Sequence, residues 1–212
     1  MYKLYYAPGA ASLGLHWMLL ELGVPFELVL VDTEAKQQRS ADYLALNPTG
    51  RIPTLVVDGV PHAEVAAMLM LLAERHPEAG FDTPAGAPGR ADYLQWMTWL
   101  TNTLQCDYRH WFYPEEAAGP EAVVGAQQHA RARVENGLAR LDAHFADGRG
   151  FMLGETMTAV DFMAAMLTRW SRGMPRPATA WPHLKAYVDR MRARPALRAV
   201  HVREGLTDWI DG

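Results

Sequence analysis

The run Asn47-Pro48-Thr49-Gly50-Arg51-Ile52-Pro53-Thr54-Leu55 holds the most suggestive chemistry in the chain. A proline shortly before the apolar pair Val56-Val57 cannot donate to a sheet, so it belongs at a strand's first position or at an edge. An X-Pro bond at such a place can be held cis, and a cis Ile52–Pro53 turns the Ile52 N–H and C=O sideways. One donor and one acceptor are then offered to an extended, peptide-like ligand. A trans proline opening an edge strand is the other reading of the same residues. Several chemistries find no support. The single cysteine, Cys106, excludes an internal disulfide and any CxxC motif. The eight histidines show neither HExxH nor paired-ligand spacing, so no metal site is indicated. There is no P-loop and no strand-linked GxGxxG.

These residues need elements to position them, and the first part of the chain alternates in type. Lys3–Ala7 reads as a strand that ends at Pro8-Gly9. Ser12 to Gly23 has helical spacing, with Leu15, Met18, Leu19 and Leu22 on one face and Gly23 as the stop. Phe26–Val31 is nearly continuous in apolar character, the pattern of a strand buried on both faces. A short helix is expected around Ala41–Leu46. Thr54–Val57 and Val60–His62 flank Asp58-Gly59, a hairpin signal. Glu64 to Arg75 is apolar almost all round, as in a helix sandwiched between layers.

Residues 78–89 form a Pro-, Gly- and Ala-rich linker, after which strand signals stop. Helical patterns run over Arg90–Phe112, Glu121–Ala146, Ala159–Arg172, Trp181–Arg194 and Ala196–Arg203. Thr158 and Asp161 have capping-box spacing at the start of the third of these. The expected architecture is an α/β domain over residues 1–77 and an all-α domain over residues 90–212.

Composition agrees with an ordinary globular protein: 50% hydrophobic and 21% charged residues. A formal net charge of −4 gives no electrostatic reason to expect nucleic acid or an acidic membrane surface as a partner. Arg190, Arg192 and Arg194 do not share one narrow helical face, and Pro195 interrupts the basic run, so a solvated surface is expected there. The longest apolar run, Val65 to Ala73, is too short to span a bilayer. With no signal-peptide pattern at Met1–Tyr6, a cytoplasmic location is the expectation.

The chain resembles cytosolic glutathione transferases of the bacterial, beta-like type. The resemblance rests on Tyr5-Tyr6-Ala7-Pro8-Gly9-Ala10-Ala11-Ser12-Leu13, the Asn47–Leu55 loop, the Glu64–Pro77 segment and Thr158-Ala159-Val160-Asp161, in that order along the chain. It implies a thioredoxin-like N-terminal domain that binds glutathione as co-substrate, an all-helical C-terminal domain that shapes the second-substrate pocket, and a homodimer. It further implies conjugation of the glutathione thiolate to a small apolar electrophile. Ser12 is then the first candidate to donate a hydroxyl to the thiolate, with helix N-capping as its plainer role, and Tyr6 is the second. Bacterial relatives often carry Cys-Ser where this chain has Ala11-Ser12, so a mixed-disulfide reaction lacks its nucleophile here.

The same resemblance assigns Glu64 to the γ-glutamyl amine and the Val65 N–H to the γ-glutamyl carboxylate. The family usually has Glu-Ser at this place, so valine keeps the N–H and loses a hydroxyl. The Ile52–Pro53 backbone would take the peptide, and Arg51 could reach the glycyl carboxylate or remain an exposed loop cation. Gln105 falls where some relatives have a basic group near the sulfur. Tyr108 and Phe112, four apart on one helical face, are candidates to wall the electrophile pocket or to pack as core. Two other readings stay open: another glutathione-dependent enzyme (dehalogenase, isomerase or peroxidase), and a non-catalytic binding protein on this fold.

Overall fold

The computed structural model describes residues 1–211. The chain forms two compact units, one of Met1–Asp82 joined by the chain from Arg192 onward, the other of Thr83–Met191. In the first, β1 (Tyr2–Tyr6), α1 (Ser12–Leu22), β2 (Phe26–Leu30), α2 (Ala41–Leu46), β3 (Thr54–Val57), β4 (Val60–His62) and α3 (Val65–Arg75) follow in order. The sheet runs β2-β1-β3-β4, with β1 and β2 parallel and the other pairs antiparallel. A parallel pair needs a crossover, and α1 supplies it.

Local signals account for most of these elements. Gly23 ends α1 in the left-handed region at φ 64°, where a side chain would be strained. Asp58 at φ 52° and Gly59 at φ 88° make the two-residue turn between β3 and β4 that Asp-Gly favours. Ser40 caps α2 by accepting from the Tyr43 N–H.

Two readings of the sequence change. Phe26–Leu30 is not buried on both faces: it lies at the sheet edge, and Leu30 is 53% exposed. Its apolar run reflects composition, while burial is set by strand order. The third helix is not sandwiched either, since Ala67 is exposed and Met70 and Leu71 are half-buried. Its inner side, Val65, Met68, Leu69, Leu72 and Ala73, packs in the core, and α3 lies against α1.

The second unit is helical: α4 (Arg90–Trp99), α5 (Cys106–Phe112), α6 (Pro114–Ala118), α7 (Val123–His144), α8 (Ala159–Trp170) and α9 (Pro182–Arg192, whose last residue falls with the first unit). A π-helical stretch, Leu100–Gln105, joins α4 to α5, so the single long helix expected over Arg90–Phe112 is widened at its middle. The sequence also gave no sign of α6. Helix α10 (Pro195–Arg203) and the tail after it group with the first unit, although the sequence places them in a helical domain reaching residue 212. Gly212, the end of that expected domain, lies outside the described residues. No helix among the described residues is long and apolar enough to cross a membrane.

The Thr158–Asp161 capping box is present. Asp161 is fully buried and accepts from the Thr158 and Met152 N–H groups, each at 2.8 Å. Burial nonetheless raises its carboxyl to about 6, the hydrogen bonds from Thr158 and Met152 opposing the shift. A carboxyl raised above its unfolded value of about 4 favours the folded state below pH 4 and loses that contribution as pH rises through 6. Urea unfolding of the parent and of Asp161→Asn should therefore show the parent's stability, relative to the variant, falling between pH 4 and pH 7 by up to about 3 kcal/mol. A pH-independent difference would remove burial as the dominant influence on Asp161.

Candidate functional site

The β1–α1 loop is built around the Ala7 peptide. The Ala7 carbonyl accepts from the Ala10 N–H at 3.1 Å and from the Ser12 hydroxyl at 3.1 Å, while the Ala7 N–H donates to Ser12 Oγ at 3.3 Å. Ser12 is 0% exposed, and its one hydroxyl proton is used on Ala7. The first-choice donor to a sulfur thus has its hydroxyl committed to the Ala7 carbonyl in this structure. It is not the N-cap, because Ala11 occupies that position. The N–H groups of Ala11 and Ser12 have no hydrogen-bond partner among the described residues, leaving the start of α1 an electropositive edge. Tyr6 is half-buried, its ring 6.0 Å from the His16 ring, and its hydroxyl makes no hydrogen bond among the described residues.

The same loop is held from the far end of the chain. The Gly9 N–H donates to Glu204 Oε2 at 2.8 Å, and Glu204 Oε1 pairs with His16 Nδ1 at 2.8 Å, both side chains being fully buried. No spacing in the sequence could have joined positions 188 residues apart. Glu204 directly follows the arginine-rich segment and carries no signal of its own in the sequence.

The Ile52–Pro53 peptide is cis, as the loop suggested. Pro53 is buried, and the N–H and C=O of Ile52 have no hydrogen-bond partner among the described residues. The Arg51 side chain is exposed and makes no ion pair there, while its carbonyl accepts from Tyr43 and Asn47. The sequence reading passed over both donors. An Asn at a helix end, directly before proline, was the available hint for Asn47.

Glu64 stands before α3 at φ 67° and ψ 102°, a backbone conformation that costs a non-glycine residue about 1–3 kcal/mol. Its carboxylate is exposed and without an ion pair among the described residues. Val65 is buried at the first helical position, and its N–H, like that of Ala66, has no internal acceptor. An acid followed by free N–H groups can take an ammonium and a carboxylate side by side, the two ends of an α-amino acid.

In the second unit the aromatic pair separates into different roles. Tyr108 is 0% exposed, 6.2 Å from the Phe112 ring and 5.8 Å from Trp170, and burial holds its phenol well above the usual range. Of the two roles the sequence leaves open to it, wall or core, its surroundings are those of a core residue. Phe112 remains 45% exposed, edge-on to Trp170 at 6.2 Å. Gln105 ends the π-helical stretch and is half-buried; the next residue, Cys106, is exposed, its Sγ 3.6 Å from the Thr101 carbonyl. No cluster among the described residues could hold a metal ion.

Comparison with known proteins gives this geometry a family. Residues 10–75 match the family model for the glutathione S-transferase N-terminal domain, and residues 121–190 match that for the C-terminal domain. A glutathione S-transferase from Xanthomonas campestris is 32% identical over 96% of this chain and 99% of its own length. The chain belongs to the glutathione S-transferase family. An Escherichia coli member is 29% identical over 96% of this chain and 99% of that one. The glutathione transferase structure from Methylococcus capsulatus superposes at TM-score 0.86 with 31% identity, covering 97% of this chain and 100% of that one. A sphingomonad glutathione S-transferase complexed with glutathione superposes at 0.84, with 31% identity and coverage of 97% and 100%.

The geometry separates scaffold from chemistry at the start of α1. Ser12→Ala would leave the buried Ala7 N–H without its acceptor, a loss of about 1–3 kcal/mol of stability. The pH dependence of glutathione conjugation should stay where it was in that variant. Tyr6→Phe is the companion: its pH–rate midpoint should rise if the phenol reaches the sulfur. A large upward shift in Ser12→Ala alone would return the thiolate role to Ser12.

Proposed function

We propose that this glutathione S-transferase family member binds glutathione on its α/β unit and conjugates the intact glutathione, through its thiolate, to a small apolar electrophile. The observation that carries the reading is Glu64, a carboxylate without an ion pair among the described residues, in a costly backbone conformation directly before N–H groups of α3 that no described residue accepts. The γ-glutamyl end of glutathione carries an ammonium and a carboxylate on one carbon, which matches that pair. The Ile52 N–H and C=O are available to the peptide between, and Arg51 to the glycyl carboxylate. The sphingomonad relative complexed with glutathione supports the same ligand.

The sulfur must be held as thiolate. A thiol of pKa about 8.5 is only about 3% ionised at pH 7, and lowering it by two units requires about 2.7 kcal/mol of preference for the anion. The free N–H groups of Ala11 and Ser12 with the α1 dipole can contribute up to about 2 kcal/mol in a partly buried site. A hydroxyl donor adds about 1.5–3 kcal/mol, and Tyr6 is the side chain with a hydroxyl to give. In this reading Ser12 shapes the loop and the α1 backbone does the electrostatic work. Phe112 offers the apolar surface for the electrophile in the helical unit.

A homodimer belongs to the same reading, supported by the apolar surface left open on α3 at Ala67, Met70 and Leu71 and by Val60, which is 55% exposed on β4. Sedimentation should give twice the chain's 23.6 kDa, and a monomer at all concentrations would reject it. A cytoplasmic location is part of the proposal too, in keeping with one cysteine and no internal disulfide to form.

Calorimetric titration with glutathione tests the function. The parent should bind at millimolar concentration or better, and Glu64→Gln should weaken binding about ten- to a hundredfold through loss of a charged hydrogen-bond partner. A folded Val65→Ser should bind several-fold more tightly, because a hydroxyl would join the N–H at the carboxylate. A parent that takes no glutathione at millimolar concentration would overturn the reading.

A further inference from the structure

The backbone of Ile52 is useful to a ligand only if it is held still, and the residues that hold it lie outside the loop. Tyr43 sits in α2, a helix of six residues that is too short to be stable alone. Its own place is fixed by the Ser40 cap and by the Tyr5 ring, edge-on at 6.0 Å. From there its buried hydroxyl reaches the Arg51 carbonyl at 2.7 Å and Thr54 Oγ1 at 2.9 Å. A phenol has one proton to give. The Arg51 carbonyl can only accept, so that proton goes to Arg51 and the Thr54 hydroxyl donates back to Tyr43. One oxygen thus bridges the residue before Ile52 and the residue after Pro53.

Neighbouring contacts make the bridge directional. Asn47 Nδ2 donates to the same Arg51 carbonyl at 2.9 Å, while Asn47 Oδ1 accepts from the Thr49 N–H and hydroxyl, at 3.2 and 2.7 Å. Asn47 therefore fixes only the turn before Ile52. Thr54 is pinned on its other side by pairing with Tyr5 in the sheet. Among the described residues, Tyr43 alone spans Ile52–Pro53. Burial raises the Tyr43 phenol above its ordinary value, so it keeps its proton wherever the enzyme works.

We propose that Tyr43 is a positioning residue for ligand binding: its hydroxyl locks the backbone on both sides of Ile52–Pro53 and so presents the free Ile52 N–H and C=O in a fixed orientation to the peptide of glutathione. This rests on the glutathione reading above. Without the lock, the segment must be ordered at the moment of binding, and affinity falls by that ordering cost while the chemistry at the sulfur is untouched.

Tyr43→Phe tests it, with Thr54→Val as a second variant that removes the returning hydroxyl. In the ligand-free proteins, backbone 15N order parameters should fall at Ile52 and Thr54 and stay unchanged at Leu4 and Leu28 in β1 and β2. The glutathione Kd should rise about five- to tenfold in Tyr43→Phe, with kcat at saturating glutathione within about twofold of the parent and an unmoved pH–rate midpoint. The double variant should lose little more than Tyr43→Phe alone, because both groups belong to one bridge. A lower melting temperature with unchanged Kd, or order parameters at Ile52 no lower than in the parent, would overturn the proposal, as would fully additive losses. Should Tyr43→Phe not fold, Thr54→Val carries the same measurements. A parent that binds no glutathione would instead defeat the functional reading and take this inference with it, an outcome distinct from a parent that binds while Tyr43→Phe matches it.

Discussion

Backbone polar groups inside a protein must find partners, and this chain meets that demand unevenly. Ala7, Gly9 and Arg51 have their N–H or C=O groups met by side chains: Ser12, Glu204, Tyr43 and Asn47. Near them in the chain, Ala11, Ser12 and Ile52 have N–H groups that nothing in the described chain accepts, as does Val65 at the start of α3. The pattern is one of firmly tied backbone flanking free backbone. Rigid, unsatisfied donors are what an anionic or peptide-like molecule needs, since they cost little to organise when it arrives.

Much of the fold could be read from local residues. The Asp58-Gly59 turn, the Gly23 stop and the Thr158–Asp161 box each act within a few positions, and each is present. The reading weakened where partners are remote or where burial depends on layer order. Leu30 looks like core in a string of apolar residues and becomes exposed because its strand lies at the edge. Tyr108 and Phe112 share a helical face, yet Tyr108 is enclosed with Trp170 beside it and Phe112 is not.

The candidate site shows the same division. Ile52–Pro53 and Glu64 announced themselves by residue type and position. For Ser12 the sequence showed a candidate hydroxyl but not its partner, because a serine hydroxyl has one proton and sequence does not say which carbonyl takes it. His16, Tyr43 and Glu204 carried no signal of their own. Histidine, tyrosine and glutamate are common in helices, and their meaning here comes from tertiary geometry.

The unit that carries the β1–α1 loop is assembled from both ends of the chain, and Glu204 is the residue that closes it. The last segment is commonly treated as free territory, where a purification tag is appended or a few residues are trimmed. In this protein it reaches the β1–α1 loop through the buried carboxylate of Glu204. A deletion reaching back past Glu204 removes the carboxylate that holds the Gly9 N–H and the His16 ring, so trimming there acts on the same loop that opens α1.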